Sequence, residues 1–232
     1  MQTQTQINQI HPAVAREVAS RQYQVLRNTY LLLALTMVPT VIGAMIGINT
    51  AGVITQNPIM SFFVMLGAVI GLQYAIAAKR NSGWGIVFLL GMTFLLGWFL
   101  GPLLSFALAL KNGPQPIGLA AGGTGIVLLV MGGIATSTRR DFSFMGKFLF
   151  VGMIVLLLAI VANMFLQIPA LALTISALVV VVFSLFLLHD LSRIVNGGET
   201  NYIMATTGVY ISLFNVFANL LQLLMALSGE RN

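Results

Sequence analysis

In a chain of 232 residues, 58% are hydrophobic and 7% are charged, against about 25% charged in a soluble domain. With a mean hydropathy of +0.97, so few charges could not solvate a water-exposed surface of this size, and lipid is the expected solvent. The absence of cysteine excludes disulfides, thiol catalysis, zinc ribbons and iron–sulfur sites, and the net charge of +6 does not point to nucleic acid, because the cations flank apolar runs and form no basic stripe.

Residues 1–25 are rich in Gln, Thr and Ala and read as a mobile polar tail. They contain no apolar segment of the kind that fronts a cleaved signal peptide, so none is expected. Seven apolar runs follow, at about 29–48, 58–78, 84–110, 116–136, 145–166, 169–189 and 203–227. A helix needs about 20 mostly apolar residues to cross about 30 Å of hydrocarbon. The expected fold is therefore an all-α bundle of seven transmembrane helices, forming one domain over 26–228. In the third run, Gly101-Pro102 is expected to kink the helix or end its straight part. Only Gln167-Ile168-Pro169 separates the fifth and sixth runs. The proline forbids one continuous helix there, so a tight turn at the membrane surface is expected. No internal repeat of the kind seen in inverted-repeat transporters is apparent.

Lys and Arg set the orientation. Arg16, Arg21, Arg27, Lys79, Arg80, Arg139, Arg140, Lys147 and Arg193 all fall on the amino-terminal side of a seven-span chain, and only Lys111 and Arg231 fall on the other. The amino terminus is expected in the cytoplasm and the carboxyl terminus outside.

Gly43/Gly47, Gly67/Gly71, Gly97/Gly101 and Gly118/Gly122 are each four apart, a spacing that lets helix backbones approach closely in lipid. Packing within the bundle is one reading and a dimer interface is the other. Gly122-Gly123-Thr124-Gly125 lacks the GK[ST] ending of a phosphate loop and lies inside an apolar run.

The seventh run differs from the rest. Asn201, Ala205, Gly208, Ser212, Asn215, Asn219 and Gln222 fall within an arc of roughly 100° at helical pitch. Amide side chains facing lipid are unfavourable unless paired, so this stripe must face protein or water, and the seventh helix is expected at the centre of the bundle. Interhelical hydrogen bonding and the lining of a narrow polar path both account for it. Asp190 closes the sixth run. It either pairs with Arg193 one turn on, or faces the bundle interior as a proton- or ion-responsive carboxylate. His189, at a loop edge, reads as a solvated surface residue. Glu199 and the glycines before it read as a turn, with Thr200 or Asn201 as the helix N-cap. Five acidic residues and two histidines assemble no nucleophile, base and orienter, so no enzyme activity, metal site or cofactor is expected.

Leu26-Arg27-Asn28-Thr29-Tyr30, Val161-Ala162-Asn163-Met164-Phe165-Leu166-Gln167-Ile168-Pro169-Ala170-Leu171, Gly197-Gly198-Glu199-Thr200-Asn201-Tyr202-Ile203 and Tyr210-Ile211-Ser212-Leu213-Phe214-Asn215, in that order and spacing, resemble the Bax inhibitor-1 (transmembrane Bax-inhibitor motif) family. Within it the likeness is greatest to the bacterial YccA-like branch. The resemblance runs from about residue 25 to residue 227. It implies a seven-helix bundle with the seventh helix in the middle, in the bacterial inner membrane. It implies a non-enzymatic partner of the FtsH protease, one that limits degradation of other membrane proteins and is itself a slow substrate. Some family members also leak calcium in a pH-sensitive manner through two aspartates. The first of these matches Asp190; the second matches Ser212, which is not acidic. Two nearby carboxylates can share a proton, whereas a carboxylate facing a hydroxyl cannot, and a divalent cation loses one hard ligand. The alternative function, a calcium or proton leak, would rest on Asp190 and Ser212 with Asn215 and Asn219 as oxygen donors.

Overall fold

The computed structural model describes the backbone of residues 2–138 and 140–229, and the side chains of these save 2–16, 18, 19 and 229. The described residues form α1 (Gln2–Asn49), α2 (Ala51–Thr55), α3 (Pro58–Ala78), α4 (Gly83–Ala109), α5 (Pro114–Thr138), α6 (Met145–Leu166), α7 (Pro169–Val195) and α8 (Tyr202–Gly229), with no strand among them. All but the five-residue α2 are long and apolar enough to cross a bilayer, giving seven candidate spans. In lipid a chain satisfies its backbone amides only by coiling within each segment, which is why apolar runs and helices coincide.

Two boundaries differ from the sequence reading by more than two residues. The first helix extends back to Gln2, so the backbone of the polar tail and the first span form one helix. The sixth span, α7, continues past residue 189 to Val195. Its last turns carry Leu191 and Ile194, both buried, so the helix stays amphipathic after the apolar run stops. Arg139 and Arg231, used above for orientation, lie outside the described residues, as does the side chain of Arg16.

The turn between α6 and α7 forms at the expected place. Gln167 takes a left-handed conformation (φ 54°), its amide donates to the Asn163 carbonyl at 2.8 Å, and Asn163 Oδ1 accepts from the Ile168 amide at 3.1 Å. Pro169 then opens α7 at a position where no amide is needed. Pro102, by contrast, does not end α4, which runs on to Ala109. The proline has no N–H for the Trp98 carbonyl, and that carbonyl lies against Gly47 of α1.

This contact belongs to the closest seam in the bundle. A Cβ on Gly43 would overlap the Phe94 carbonyl, one on Gly47 the Trp98 carbonyl, one on Gly97 the Thr40 carbonyl, and one on Gly101 the backbone of Gly47. Two of the four glycine pairs therefore face each other across α1 and α4, with backbone against backbone. Trp98 Nε1 donates to Thr50 Oγ1 at 2.8 Å and Ser105 Oγ to the Ile48 carbonyl at 3.1 Å, so polar bonds close the end of the same seam. A Cβ on Gly67, Gly71, Gly118 or Gly122 would meet nothing within 4 Å beyond its own helix; among the described residues no close helix contact uses them.

α8 packs against α1, α3, α4, α5 and α7, while α6 packs chiefly against α7. The largest buried cluster joins α1, α3, α4, α5, α7 and α8, with Tyr210, Ile76, Leu89 and Leu187 among its best-buried members.

Candidate functional site

The site predicted from sequence lies along the α7–α8 interface, and the loop that joins these helices sets its geometry. α7 ends in a Schellman turn: Gly197 has φ 77°, its amide donates to the Ile194 carbonyl at 3.2 Å, and the Gly198 amide donates to the Arg193 carbonyl at 2.7 Å. Asn201 caps α8, its Oδ1 accepting from the amides of Ile203 at 3.0 Å and Met204 at 3.1 Å. Between two candidates, the N-cap is Asn201. Its Nδ2 also donates to the Arg80 carbonyl at 2.9 Å and to Asn81 Oδ1 at 3.0 Å, tying the α3–α4 turn to the start of α8.

The α5–α6 loop is tied to the same place from the other side. Ser192 Oγ donates to the Arg140 carbonyl at 2.9 Å and accepts from the Phe142 amide at 3.2 Å. Asn196 Nδ2 donates to the Arg140 carbonyl at 3.1 Å. Next to it, Asp141 accepts from the Ser143 amide at 2.8 Å. The Ser143 hydroxyl and amide hold the Asp141 carboxyl below the usual carboxylate range.

Asp190 and Arg193 do not pair. Arg193 Nη2 donates to the Gly198 carbonyl at 3.2 Å and reaches Glu199 Oε2 at 3.5 Å. Glu199 also accepts from the Asn201 amide at 2.9 Å. The α7–α8 loop folds back over the helix end and offers Arg193 an acceptor set there, while Asp190 turns the other way. Its Oδ1 lies 3.1 Å from His189 Nδ1, and a Cβ on Gly208 of α8 would come 2.7 Å from its Oδ2. His189 is correspondingly no solvated loop residue. It is 9% exposed, and its Nε2 would lie 2.8 Å from a Cβ on Gly146 of α6. The imidazole and the carboxylate thus sit between two glycines, one on α6 and one on α8, and both helices approach because neither carries a methyl there.

The remaining predicted residues follow along α8. Ser212 is buried at 2% exposure. Asn215 Nδ2 donates to the Ile211 carbonyl and Asn219 Nδ2 to the Asn215 carbonyl, each at 2.9 Å and within their own helix. Among the described residues no hydrogen bond joins Ser212, Asn215 or Asn219 to Asp190, and no group of three or more His, Asp or Glu side chains could hold a metal ion.

Sequence reasoning missed the side of α8 that faces α1 and α4. Tyr210, 2% exposed, shares a hydrogen bond of 2.8 Å with Thr40 Oγ1 and donates to the Thr93 carbonyl at 3.4 Å. Thr206 Oγ1 donates to the Tyr202 carbonyl at 2.7 Å and reaches the Thr29 carbonyl at 3.4 Å. A tyrosine in the middle of an apolar span was the available signal, since its hydroxyl must find a partner when buried.

A family model described as "Inhibitor of apoptosis-promoting Bax1" matches residues 22–229. The "Modulator of FtsH protease YccA" of Escherichia coli strain K12 is 40% identical over 202 residues, covering 87% of this chain and 90% of that protein. The protein named "Inner membrane protein YccA" in Escherichia coli O6:H1 matches to the same extent, 40% over 202 residues. An uncharacterized protein of Neisseria meningitidis serogroup A is 38% identical over 209 residues, 89% of this chain and 92% of its own length.

Proposed function

The chain belongs to the Bax inhibitor-1 family, and we propose that within it this protein is a non-enzymatic modulator of the FtsH protease in the bacterial inner membrane. The observation that carries this reading is the 40% identity, over nearly the full length of both chains, to a protein named as a modulator of that protease. In this reading the amino terminus is cytoplasmic, the carboxyl terminus is outside, and α8 is the central helix. The bias of cations toward one end and the packing of α8 against five other helices support these assignments.

An ATP-driven protease needs a handle to pull and a fold that yields. Residues 1–25 supply the handle. The handle is the first half of α1 and runs without a break into the span whose glycines interlock with α4. Force on the amino terminus is therefore applied to the seam with the closest backbone packing in the bundle. Slow extraction, with occupancy of the protease, is the expected outcome.

Affinity purification of the tagged chain in mild detergent, combined with pulse–chase of a membrane substrate of the protease, tests the reading. Co-purification and a longer substrate half-life are expected; absence of both overturns it. Deletion of residues 1–20 should lengthen the protein's own half-life, and an unchanged half-life removes the tail from the mechanism.

A second reading, a calcium or proton leak, is favoured by one observation: the half-buried Asp190 carboxylate turns toward α8 and lies against Gly208. Flux in dye-loaded liposomes should fall in Asp190→Asn. Unaltered flux discards the assignment of Asp190, Ser212, Asn215 and Asn219 to a path.

A further inference from the structure

One end of the bundle concentrates both exposed cations and exposed aromatic side chains. Hydrogen bonds from Asn201 to Arg80 and from Asn196 to Arg140 bring the α3–α4 turn, the α5–α6 loop and the α7–α8 loop together there. These bonds take the backbone carbonyls of Arg80 and Arg140, and leave the guanidinium groups exposed. Arg27, Lys79, Arg80, Arg140 and Lys147 are all exposed, and among the described residues none is in an ion pair. The carboxylates at this end are otherwise engaged: Glu17 with Arg21 at 2.8 Å, Glu199 with Arg193, Asp190 with His189, and Asp141 with Ser143.

The aromatic residues identify the medium these cations meet. Tyr23, Tyr74 and Trp84 are 67%, 81% and 62% exposed, and each lies within a turn or two of a cation at this end. Phe144 and Phe148, both 77% exposed, bracket Lys147. Tyr and Trp rings sit by preference at the level of lipid headgroups, and a Lys or Arg there can extend its head to the phosphates while its stem stays in apolar surroundings. An acidic soluble partner would be met by the cations but gives no reason for the bulky apolar rings beside them. At the opposite end, among the described residues, Lys111 is the single Lys or Arg.

We propose that this end is a docking ring for anionic phospholipid headgroups, with the Lys79/Arg80 turn and the pair of Arg140 in the α5–α6 loop and Lys147 at the start of α6 as its two main contacts, the turn and the loop both held by the α7–α8 loop. Each Lys or Arg near an anionic surface contributes about a fivefold preference, so either pair gives a preference on the order of tenfold or more for phosphatidylglycerol over phosphatidylcholine. Bound lipid would then brace three loops at once, which raises the unfolding temperature of the whole chain.

The test uses the full chain in mild nonionic detergent, with native mass spectrometry for retained lipid and thermal unfolding as a second readout. Phosphatidylglycerol should be retained in preference to phosphatidylcholine and should raise the unfolding temperature further. The preference should decline as sodium chloride rises from about 0.05 M to about 0.5 M. Replacing Lys79, Arg80, Arg140 and Lys147 by Gln should remove most of it, either pair alone should remove part, and Lys111→Gln should leave it intact. The salt titration on the unaltered chain decides the matter should the fourfold variant not fold. Equal retention of the two lipids overturns the proposal, as does a preference that survives the fourfold change or high salt. An equal thermal shift from inorganic phosphate, or stabilisation by polyglutamate without any from phosphatidylglycerol, would assign the ring to a soluble anion or an acidic protein and overturns it as well.

Discussion

The α1–α4 seam and the α7–α8 interface both rely on glycine, but for opposite purposes. Across α1 and α4 the glycines remove side chains so that one backbone rests on the other: Gly47 and Gly101 leave no space in which a methyl could move aside. Across α7 and α8, Gly208 makes room for a polar side chain, and the atom that occupies the space is the carboxylate of Asp190. The first contact is rigid because its neighbours are backbone. The second can adjust because its neighbour ends a rotatable side chain. The same residue type thus builds an immovable joint in one place and a pocket with a movable occupant in another.

Substitution of either Gly47 or Gly101 by Ala breaks the comparison most strongly. The added methyl overlaps backbone, and we expect a loss of at least about 3 kcal/mol, at the upper end of what overpacking produces, read as thermal unfolding in detergent. A shift of less than a degree would show that the helices slide apart freely. Gly208→Ala should be milder, about 1–2 kcal/mol, because Asp190 can rotate away. Adding Asp190→Ala should then recover part of the loss in a double-mutant cycle, and no recovery would mean that the carboxylate is not what fills the space. Asn201→Ala removes the cap of α8 and the tie to the α3–α4 turn. A loss of about 1 kcal/mol is expected, with faster amide exchange at Ile203 and Met204 as the specific sign. Gly67→Ala or Gly118→Ala should change stability little, or raise it by up to about 1 kcal/mol through helix propensity, since a Cβ added at either would meet nothing within 4 Å beyond its own helix. A destabilisation as large as at Gly101 would show that these faces are covered in the membrane.

Much of the architecture could be read from local pattern. The spans, the break at Gln167-Ile168-Pro169 and the interruption by glycines before Asn201 are all properties of short stretches, and the structure places helices and turns accordingly. Pro102 shows where local reasoning stops. A proline inside a helix leaves a carbonyl without its donor, yet α4 runs on past Pro102 to Ala109, and that carbonyl lies against Gly47 of a distant segment. The candidate site was legible as a list of residues more than as a set of partners. Asp190 stands out because a carboxylate follows a long apolar run, yet the same local pattern makes its neighbour His189 a solvated residue and offers Arg193 as its partner. The fold gives Arg193 to Glu199 and buries His189 against Gly146.

From its sequence alone the chain is a seven-span membrane protein with its cations gathered at one end and glycines at spacings that permit close packing. Apolar length and the need to satisfy each backbone amide within its own helix are local constraints in lipid. Only the tertiary structure decided that Gly43 and Gly47 rest on the backbone of α4 and Gly97 and Gly101 on that of α1, while a Cβ on the other paired glycines would meet nothing, that Asp190 rests on Gly208, and that Tyr210 bonds to Thr40. Helical pitch determines which residues share a face; which other helix that face meets is settled by the packing of all seven together.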